Sequence, residues 1–131
     1  MIHFYKKGSG FIEDKLVTTK IGYKIYLTKI KRMILDDKFE LINRQKNIEF
    51  IQKYNLVREK IKEMILKIEL EDIFDIVEDM DYIKYGNEPL IICIRDYILI
   101  DMFGKNKKIK VYVKIKLKEG TLPIISFHES K

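Results

Sequence analysis

The chain has 131 residues, 47% of them hydrophobic, with a formal net charge of +6 and a single cysteine. This length predicts one domain, residues 1–131, built around one core. No apolar run approaches the roughly 18 residues of a membrane span, the start lacks the apolar stretch of a signal peptide, and one cysteine cannot form an internal disulfide. We therefore expect a cytoplasmic protein with no membrane partner, in which Cys93, inside the apolar run LIICI, is a buried core residue.

Charge is unevenly distributed along the chain. Residues 1–67 carry a net charge of +8, residues 68–103 a net charge of −8, and residues 104–131 a net charge of +6. Two basic parts separated by an acidic one favour a polyanionic partner such as RNA or DNA, or an acidic protein. Codon bias in an AT-rich genome would also enrich lysine, but it would not produce the acidic middle.

The first part of the chain, residues 20–75, predicts helices. GSG at 8–10 ends a loose N-terminal arm, residues 1–10, and apolar residues then recur at helical spacing from Lys20 to Leu35. A second helix is predicted to start near Asn47, a good N-cap, and a third to cover Val57 to Lys67. The acidic stretch LEDIFDIVED follows as a turn or short helix.

The second part, residues 80–128, predicts strands. Asp81 to Tyr85 and Leu90 to Phe103 are rich in Ile, Tyr and Leu and are separated by the turn Gly86–Pro89. The longer run suits a central strand or a strand pair broken at Arg95-Asp96, and a helix over Ile91 to Tyr97 is an alternative. Helices followed by strands indicate the α+β class, with helices packed on a twisted antiparallel sheet.

The last two segments, KIKVYVKIKL and TLPIISFHES, predict a hairpin. Alternation places the apolar residues of the first strand on the core face and Tyr112 with its lysines on the other. A two-residue turn would place Val113 opposite Ser126 and Val111 opposite His128, which would bury a serine and a histidine. A three-residue loop around Gly120 instead pairs Ile115 with Ile125, Val113 with Phe127 and Tyr112 with His128, and we prefer it because it buries the apolar side chains.

The preferred register predicts one exposed patch on the outer side of the hairpin. Its members are Lys110, Tyr112, Lys114, Lys116, Ser126 and His128. An imidazole moves protons near neutral pH, ammonium groups stabilise a charged phosphorane, and a tyrosine ring stacks on bases, so the patch suits RNA cleavage by 2′-OH attack. The alternative interpretation is a solvated strand face with no chemistry.

Three further sets of residues have both a functional and a structural interpretation. Arg44, Lys46 and Asn47 at a helix start either bind phosphate or simply begin the helix. His3 is interpreted as a packing or surface residue. The acidic pairs Glu71/Asp72 and Glu78/Asp79/Asp81 lack other ligand types at diagnostic spacing, so a solvated face is preferred. We expect no metal and no cofactor, since no nucleotide-binding or zinc motif occurs.

Four segments together resemble a known family. INRQKNIEFIQKYNL, YNLVREKIKEMILKIELEDIFD, VYVKIKL and ISFHES, in this order, are similar to the motility quorum-sensing regulator toxins, especially their shorter Firmicute-type members. The resemblance implies a RelE-type α+β fold and the toxin of a type II toxin–antitoxin pair, which cleaves mRNA without a metal. It also implies a cognate antitoxin protein as a second partner and a toxin–antitoxin hetero-oligomer.

Carried over by position, the resemblance implies catalytic roles for Tyr112, Lys114 and His128. RNA-binding roles are expected for Arg44, Lys46, Asn47, Lys110, Lys116 and Ser126. Two departures stand out: some members place a lysine where Asp75 stands here, and their glutamine before the penultimate strand has no counterpart in IDMFGK. These departures favour an alternative, a non-enzymatic RelE-like protein that binds a partner protein or nucleic acid through its basic face.

Overall fold

A computed structural model of the chain describes residues 9–78 and 88–130. The helices are α1 (Ser9–Leu35), α2 (Gln45–Tyr54) and α3 (Arg58–Leu66), and a short 3₁₀ turn covers Leu70–Asp72. The strands are β1 (Phe39–Leu41), β2 (Ile73–Glu78), β3 (Pro89–Ile100), β4 (Asn106–Lys116) and β5 (Leu122–Glu129). None of the described helices combines the length and the apolarity that a helix needs to cross a bilayer.

The strands form one five-stranded sheet in the order β1-β5-β4-β3-β2. Strands β2 to β5 are antiparallel to their neighbours, whereas β1 runs parallel to β5. The predicted α+β class is confirmed, but the prediction of a wholly antiparallel sheet is wrong at this edge. The cause is β1, which has three residues and is too short to show an alternating pattern in the sequence.

The predicted element boundaries hold for two helices and need correction elsewhere. The helix over Lys20 to Leu35 lies within α1, and α3 matches the predicted third helix. The strand β1 lies inside the predicted helical part 20–75, and most of the acidic stretch LEDIFDIVED is the strand β2, because its Ile and Val residues pair with β3.

The segment Leu90 to Phe103 is one continuous strand to Ile100, neither a helix nor a broken pair. The charged residues at its centre are accommodated without a break, because the Arg95 guanidinium lies 2.7 Å from the Asp72 carboxylate. Ser9 and Gly10, predicted as part of the arm, belong to α1. Residues 1–8 with His3, the predicted strand Asp81–Tyr85 and the acidic residues Asp79 and Asp81 lie outside the described residues.

The core lies between the helices and one face of the sheet. Among the residues whose burial is described, α1 and α3 contribute Leu27, Ile30, Ile34, Ile61, Met64 and Ile65 to the core, and β3 contributes Ile91, Cys93, Tyr97 and Leu99. The Tyr97 hydroxyl donates a hydrogen bond to the Met64 carbonyl, which fixes α3 to the sheet. The opposite face, called the outer face below, carries the other side chains of β3 and β4 and is left open by these helices.

The last hairpin combines both registers that the sequence allows. Near the loop Ile115 pairs with Ile124, as a two-residue turn would require, whereas farther along Val113 pairs with Phe127 and Tyr112 with His128. The change occurs at a β-bulge, where Ile125 is the extra residue of β5. The predicted pairing of Ile115 with Ile125 is therefore wrong, while the predicted pairing of Tyr112 with His128 is confirmed.

The buried side chain of Asn47 joins α2 to the edge of β5, beyond the point where β1 ends. Its amide nitrogen donates to the carbonyl oxygens of Ile42 and Ile125 at 3.0 Å each. Its amide oxygen accepts from the Phe127 backbone N–H at 2.9 Å. Behind this contact the rings of Phe50 and Phe127 meet edge to face with centroids 5.7 Å apart. The side chain of Asn47 thus makes hydrogen bonds that a neighbouring strand would otherwise make at this edge.

Replacing Asn47 with Ala should lower the free energy of unfolding by about 2–4 kcal/mol, because it leaves buried backbone groups of Ile125 and Phe127 unpaired. Denaturant unfolding followed by circular dichroism measures the change. The matched control is Gln52→Ala, an exposed residue of the same helix. A loss no larger than that of the control would show that the edge of β5 does not need the amide.

The thiol of Cys93 should be unreactive in the folded protein. Burial, with a smaller contribution from Asp72, raises the pKa of Cys93 to about 12, and only the thiolate attacks thiol reagents. We expect negligible labelling by a chromogenic disulfide at about pH 8 and complete labelling after addition of denaturant. Equally fast labelling of the native and the denatured chain would contradict burial of this residue.

Candidate active site

The rings of Tyr112 and His128 form a stacked pair on the outer face. The two residues are directly opposite each other on β4 and β5. Their ring centroids are 5.5 Å apart and their planes differ by 22°. From the other side, Ile94 of β3 is paired with Tyr112. The three side chains form one row across the sheet, with Ile94 at one end and the imidazole at the other.

The backbone determines which nitrogen of His128 carries the proton in the neutral ring. Nδ1 lies 3.0 Å from the carbonyl oxygen of Glu129. A carbonyl oxygen only accepts hydrogen bonds, so Nδ1 is the donor and Nε2 has the free lone pair. Nε2 can therefore accept a proton from a bound substrate.

A small groove lies between α2 and the end of β5, with His128 on one wall. Its volume is about 230 Å³, and its other lining residues are Lys46, Glu49, Phe50, Lys53 and Glu129. This volume is below the roughly 300–1,000 Å³ of typical small-molecule sites, so the groove suits a phosphate or one base. Sequence reasoning missed Glu49 and Lys53, although their spacing from Lys46 places all three on one face of a helix.

Lys114 lies one row from the stacked pair, opposite Ser126 on β5 and Ile92 on β3. The other lysines of β4 each lie within 4 Å of a carboxylate: Lys107 with Asp101, Lys108 and Lys110 with Asp96, and Lys116 with Glu88. Among the described residues, Lys114 is the lysine of β4 without such an ion pair. Its charge is therefore the one on this strand that is available for an anion.

Two predicted members of the basic patch, Lys110 and Lys116, lie beside carboxylates. Lys110 is exposed, but its ammonium lies 3.9 Å from Asp96, the residue opposite it on β3. Lys116 is buried, with 7% of its surface exposed, and lies 3.7 Å from Glu88. The acidic middle of the chain thus does not separate two basic surfaces. It supplies the strand next to β4 and places a carboxylate within 4 Å of four of its five lysines, with Asp96 shared by two of them.

Arg44 and Ser126 meet beside Lys114. The Arg44 guanidinium lies 3.5 Å from both the Ser126 hydroxyl and the Ile125 carbonyl, at the limit of hydrogen-bonding distance. Ser126 is 5% exposed, so the prediction that it lies open on the patch is wrong. Its side chain is covered, and its contact places the exposed cation of Arg44 at the margin of the outer face.

The start of α2 differs from its predicted form. The helix begins at Gln45, with Arg44 at the N-cap position and no side-chain capping bond. Asn47 is fully buried and all its described hydrogen bonds go to the backbone. The prediction that Asn47 caps the helix and binds RNA is therefore wrong. Lys46 is exposed and lines the groove beside His128.

The acidic residues do not form a cation site in the described ranges, where no group of three or more His, Cys, Asp or Glu side chains is placed to hold a metal ion. Asp72 bonds to Arg95 and to the Glu69 backbone N–H. Asp75 lies on β2 opposite Ile92, in the same cross-strand row as Lys114 but two strands away, about 10 Å. The residue that departs from the toxin pattern is thus outside the Tyr112–His128 row.

A larger cavity of about 670 Å³ lies at the other end of β4, and its lining includes Tyr26, Lys29, Arg32, Glu88 and Lys118. Neither Tyr112 nor His128 contributes to it. The smaller groove is the better candidate, because its lining includes the imidazole of His128.

The chain significantly matches no protein-family model, no curated protein and no solved structure. The resemblance to the motility quorum-sensing regulator toxins therefore depends on the four sequence segments alone, and the RelE-type assignment, the toxin activity and the antitoxin partner stay predictions.

Proposed function

We propose that the protein is an endoribonuclease that cleaves single-stranded RNA at the Tyr112–His128 row. The observation that carries this proposal is the stacked pair itself, which brings a proton-accepting Nε2 within one row of Lys114, a lysine without a carboxylate partner among the described residues. Arg44 and Lys46 add positive charge on the side of α2. General base, base-stacking ring and phosphate-binding cations are the parts that cleavage by 2′-OH attack requires.

In the proposed reaction, Nε2 of His128 takes the proton of the ribose 2′-OH. The 2′-oxygen then forms a bond to phosphorus, the bond between phosphorus and O5′ breaks, and O5′ takes a proton from solvent. The products are a 2′,3′-cyclic phosphate, which hydrolyses to a 3′-phosphate, and a 5′-hydroxyl end. Lys114 and Arg44 neutralise the additional negative charge of the phosphorane, and Tyr112 stacks on the adjacent base.

The toxin role extends this proposal. It is supported by the order of the four similar segments and by the position of His128 and Tyr112, both of which belong to them. In this role the protein acts in the cytoplasm on mRNA, without a cofactor, and a cognate antitoxin protein binds it. Growth arrest on expression, relieved by co-expression of a neighbouring gene, tests the role separately from the chemistry.

Purified protein should cut single-stranded RNA in EDTA and leave 2′,3′-cyclic phosphate or 3′-phosphate ends. His128→Ala should lower the rate by at least about a hundredfold, since general acid–base catalysis contributes about 10²–10⁴. Gel analysis of end-labelled RNA with phosphatase mapping of the ends measures both. The control is the chain's other histidine, His3→Ala, which should cut as the parent does. A His128→Ala protein that cuts at the parental rate would refute the mechanism.

Lys114 should contribute to RNA affinity more than its neighbour Lys110. Lys114→Gln should reduce the slope of log affinity against log salt by about 0.7, the value for one lost phosphate contact on a single strand. Lys110→Gln is the matched control on the same strand and face, and it should change the slope less because Asp96 already pairs with that lysine. Fluorescence anisotropy in the His128→Ala background measures binding without cleavage. Equal effects of the two substitutions would contradict a special role for Lys114.

The alternative function is binding without cleavage, and the carboxylate of Asp75 in the row of Lys114 favours it. Similar toxins place a lysine there, and a negative charge on this face weakens its attraction for phosphate. Salt-dependent RNA binding with intact RNA in the parent protein would support this alternative over the ribonuclease.

A further inference from the structure

The tip of the hairpin formed by β3 and β4 exposes a group of large apolar side chains, called the tip patch here. Its members and their exposed fractions are Ile98 (61%), Ile100 (61%), Met102 (74%) and Phe103 (80%). Ile98 and Ile100 lie on the outer face of β3, and Met102 and Phe103 continue from its end into the turn. Contiguous exposed apolar groups on a folded protein mark interaction sites.

The turn that carries Met102 and Phe103 is fixed by hydrogen bonds. The buried carboxylate of Asp101 accepts from the backbone N–H groups of Phe103 and Lys105 at 2.9 Å each. The Asp101 N–H donates to the Lys105 carbonyl at 2.9 Å, and Gly104 adopts a φ of 79°. This geometry closes the turn with the two apolar side chains outside it.

The other side of the same hairpin is anchored in the core. Tyr97, Leu99 and Ile109 are buried, with exposed fractions of 8%, 3% and 7%. The neighbouring strand β2 pairs with β3 only as far as Cys93, so the outer face around Ile98 and Ile100 has no strand beyond it among the described residues. The tip patch is therefore a fixed surface, already in position before anything binds to it.

Positive charge borders the tip patch. Lys108, opposite Ile98 on the outer face, has a side chain 70% exposed and shares the carboxylate of Asp96, 41% exposed, with Lys110, so one carboxylate meets two ammonium groups. Lys105 is also exposed. In each ion pair the cation is nearer to solvent than the anion, so an approaching molecule meets the lysines first.

We propose that the tip patch binds a protein partner through a segment whose apolar side chains are flanked by Asp or Glu. The apolar groups of that segment cover Ile98, Ile100, Met102 and Phe103, and its carboxylates meet Lys105 and Lys108. This site goes beyond the proposed ribonuclease function. Along β4, Lys108 is four residues from Tyr112, about 13 Å, so the tip patch is separate from the candidate active site.

The charges around the tip patch disfavour two other occupants, a second copy of this chain and an anionic lipid surface. In a second copy of this chain, the same face would bring lysines against lysines, which disfavours self-association. An anionic lipid surface would have to cover Asp96, which lies on the outer face between Ile94 and Ile98 and would face the negative headgroups. A protein segment can place its carboxylates beside the lysines and leave Asp96 in water.

Selection from a random-peptide phage library on the immobilised full chain tests the proposal. Enriched peptides should combine apolar residues with Asp or Glu. Phe103→Asp and Lys108→Glu should each weaken binding of a synthetic selected peptide by about tenfold or more. Leu35→Asp is the matched control, since Leu35 is 60% exposed at the end of α1, and it should bind the peptide as the parent does.

Met102→Gln is a second variant of the tip patch. The side chains of Met102 and Phe103 are both exposed, and circular dichroism checks that each variant is folded. No enrichment, peptides without acidic residues, or binding that Phe103→Asp and Met102→Gln leave unchanged would each overturn the proposal. Two further results would overturn it in favour of another occupant. These are sedimentation with anionic phospholipid vesicles, or a concentration-dependent dimer in sedimentation velocity, either one abolished by Phe103→Asp.

Discussion

Beyond the end of β1, the side-chain amide of Asn47 makes hydrogen bonds to the edge of β5, and the candidate site depends on this contact. The amide accepts from the Phe127 N–H and donates to the Ile125 carbonyl, which belongs to the bulged residue of β5. A bulge leaves backbone groups without partners in the ladder. Because Asn47 satisfies them, the strand can change which residues face the core, and α2 is fixed beside His128.

The charges of the outer face depend on how β3 and β4 align. The acidic residue Asp96 lies beside both Lys108 and Lys110, so its carboxylate offsets part of the positive charge of β4 on this face. Lys114 differs because the residues opposite it, Ile92 and Ser126, have no charge. Of the predicted row of lysines, Lys114 next to the stacked rings is therefore the one without a carboxylate beside it among the described residues.

Alternation along KIKVYVKIKL was enough to predict the core face of β4, and burial of Phe127 was enough to place Tyr112 opposite His128. The bulge at Ile125 was not predictable. Each of the two regular registers satisfied part of the apolar pattern, and no local sequence signal indicates a bulge that joins them. The roles of Asn47 and Ser126 depend on contacts between residues about 80 positions apart. The ion pairs of Lys110 and Lys116 depend on a strand alignment that composition does not encode.

The bulge also determines where this chain can tolerate changes in length. The loop between β4 and β5 ends in solvent-exposed residues around Gly120, and an insertion there would lengthen the loop and leave the strands as they are. Between Ile124 and Phe127, deletion of the extra residue Ile125 would remove the bulge and leave Val113 opposite Phe127 and Tyr112 opposite His128, because the two registers differ by that one residue. Homologues that keep the chemistry of this face should therefore vary freely in that loop, and these two core residues should be three positions apart with a bulge or two positions apart without one.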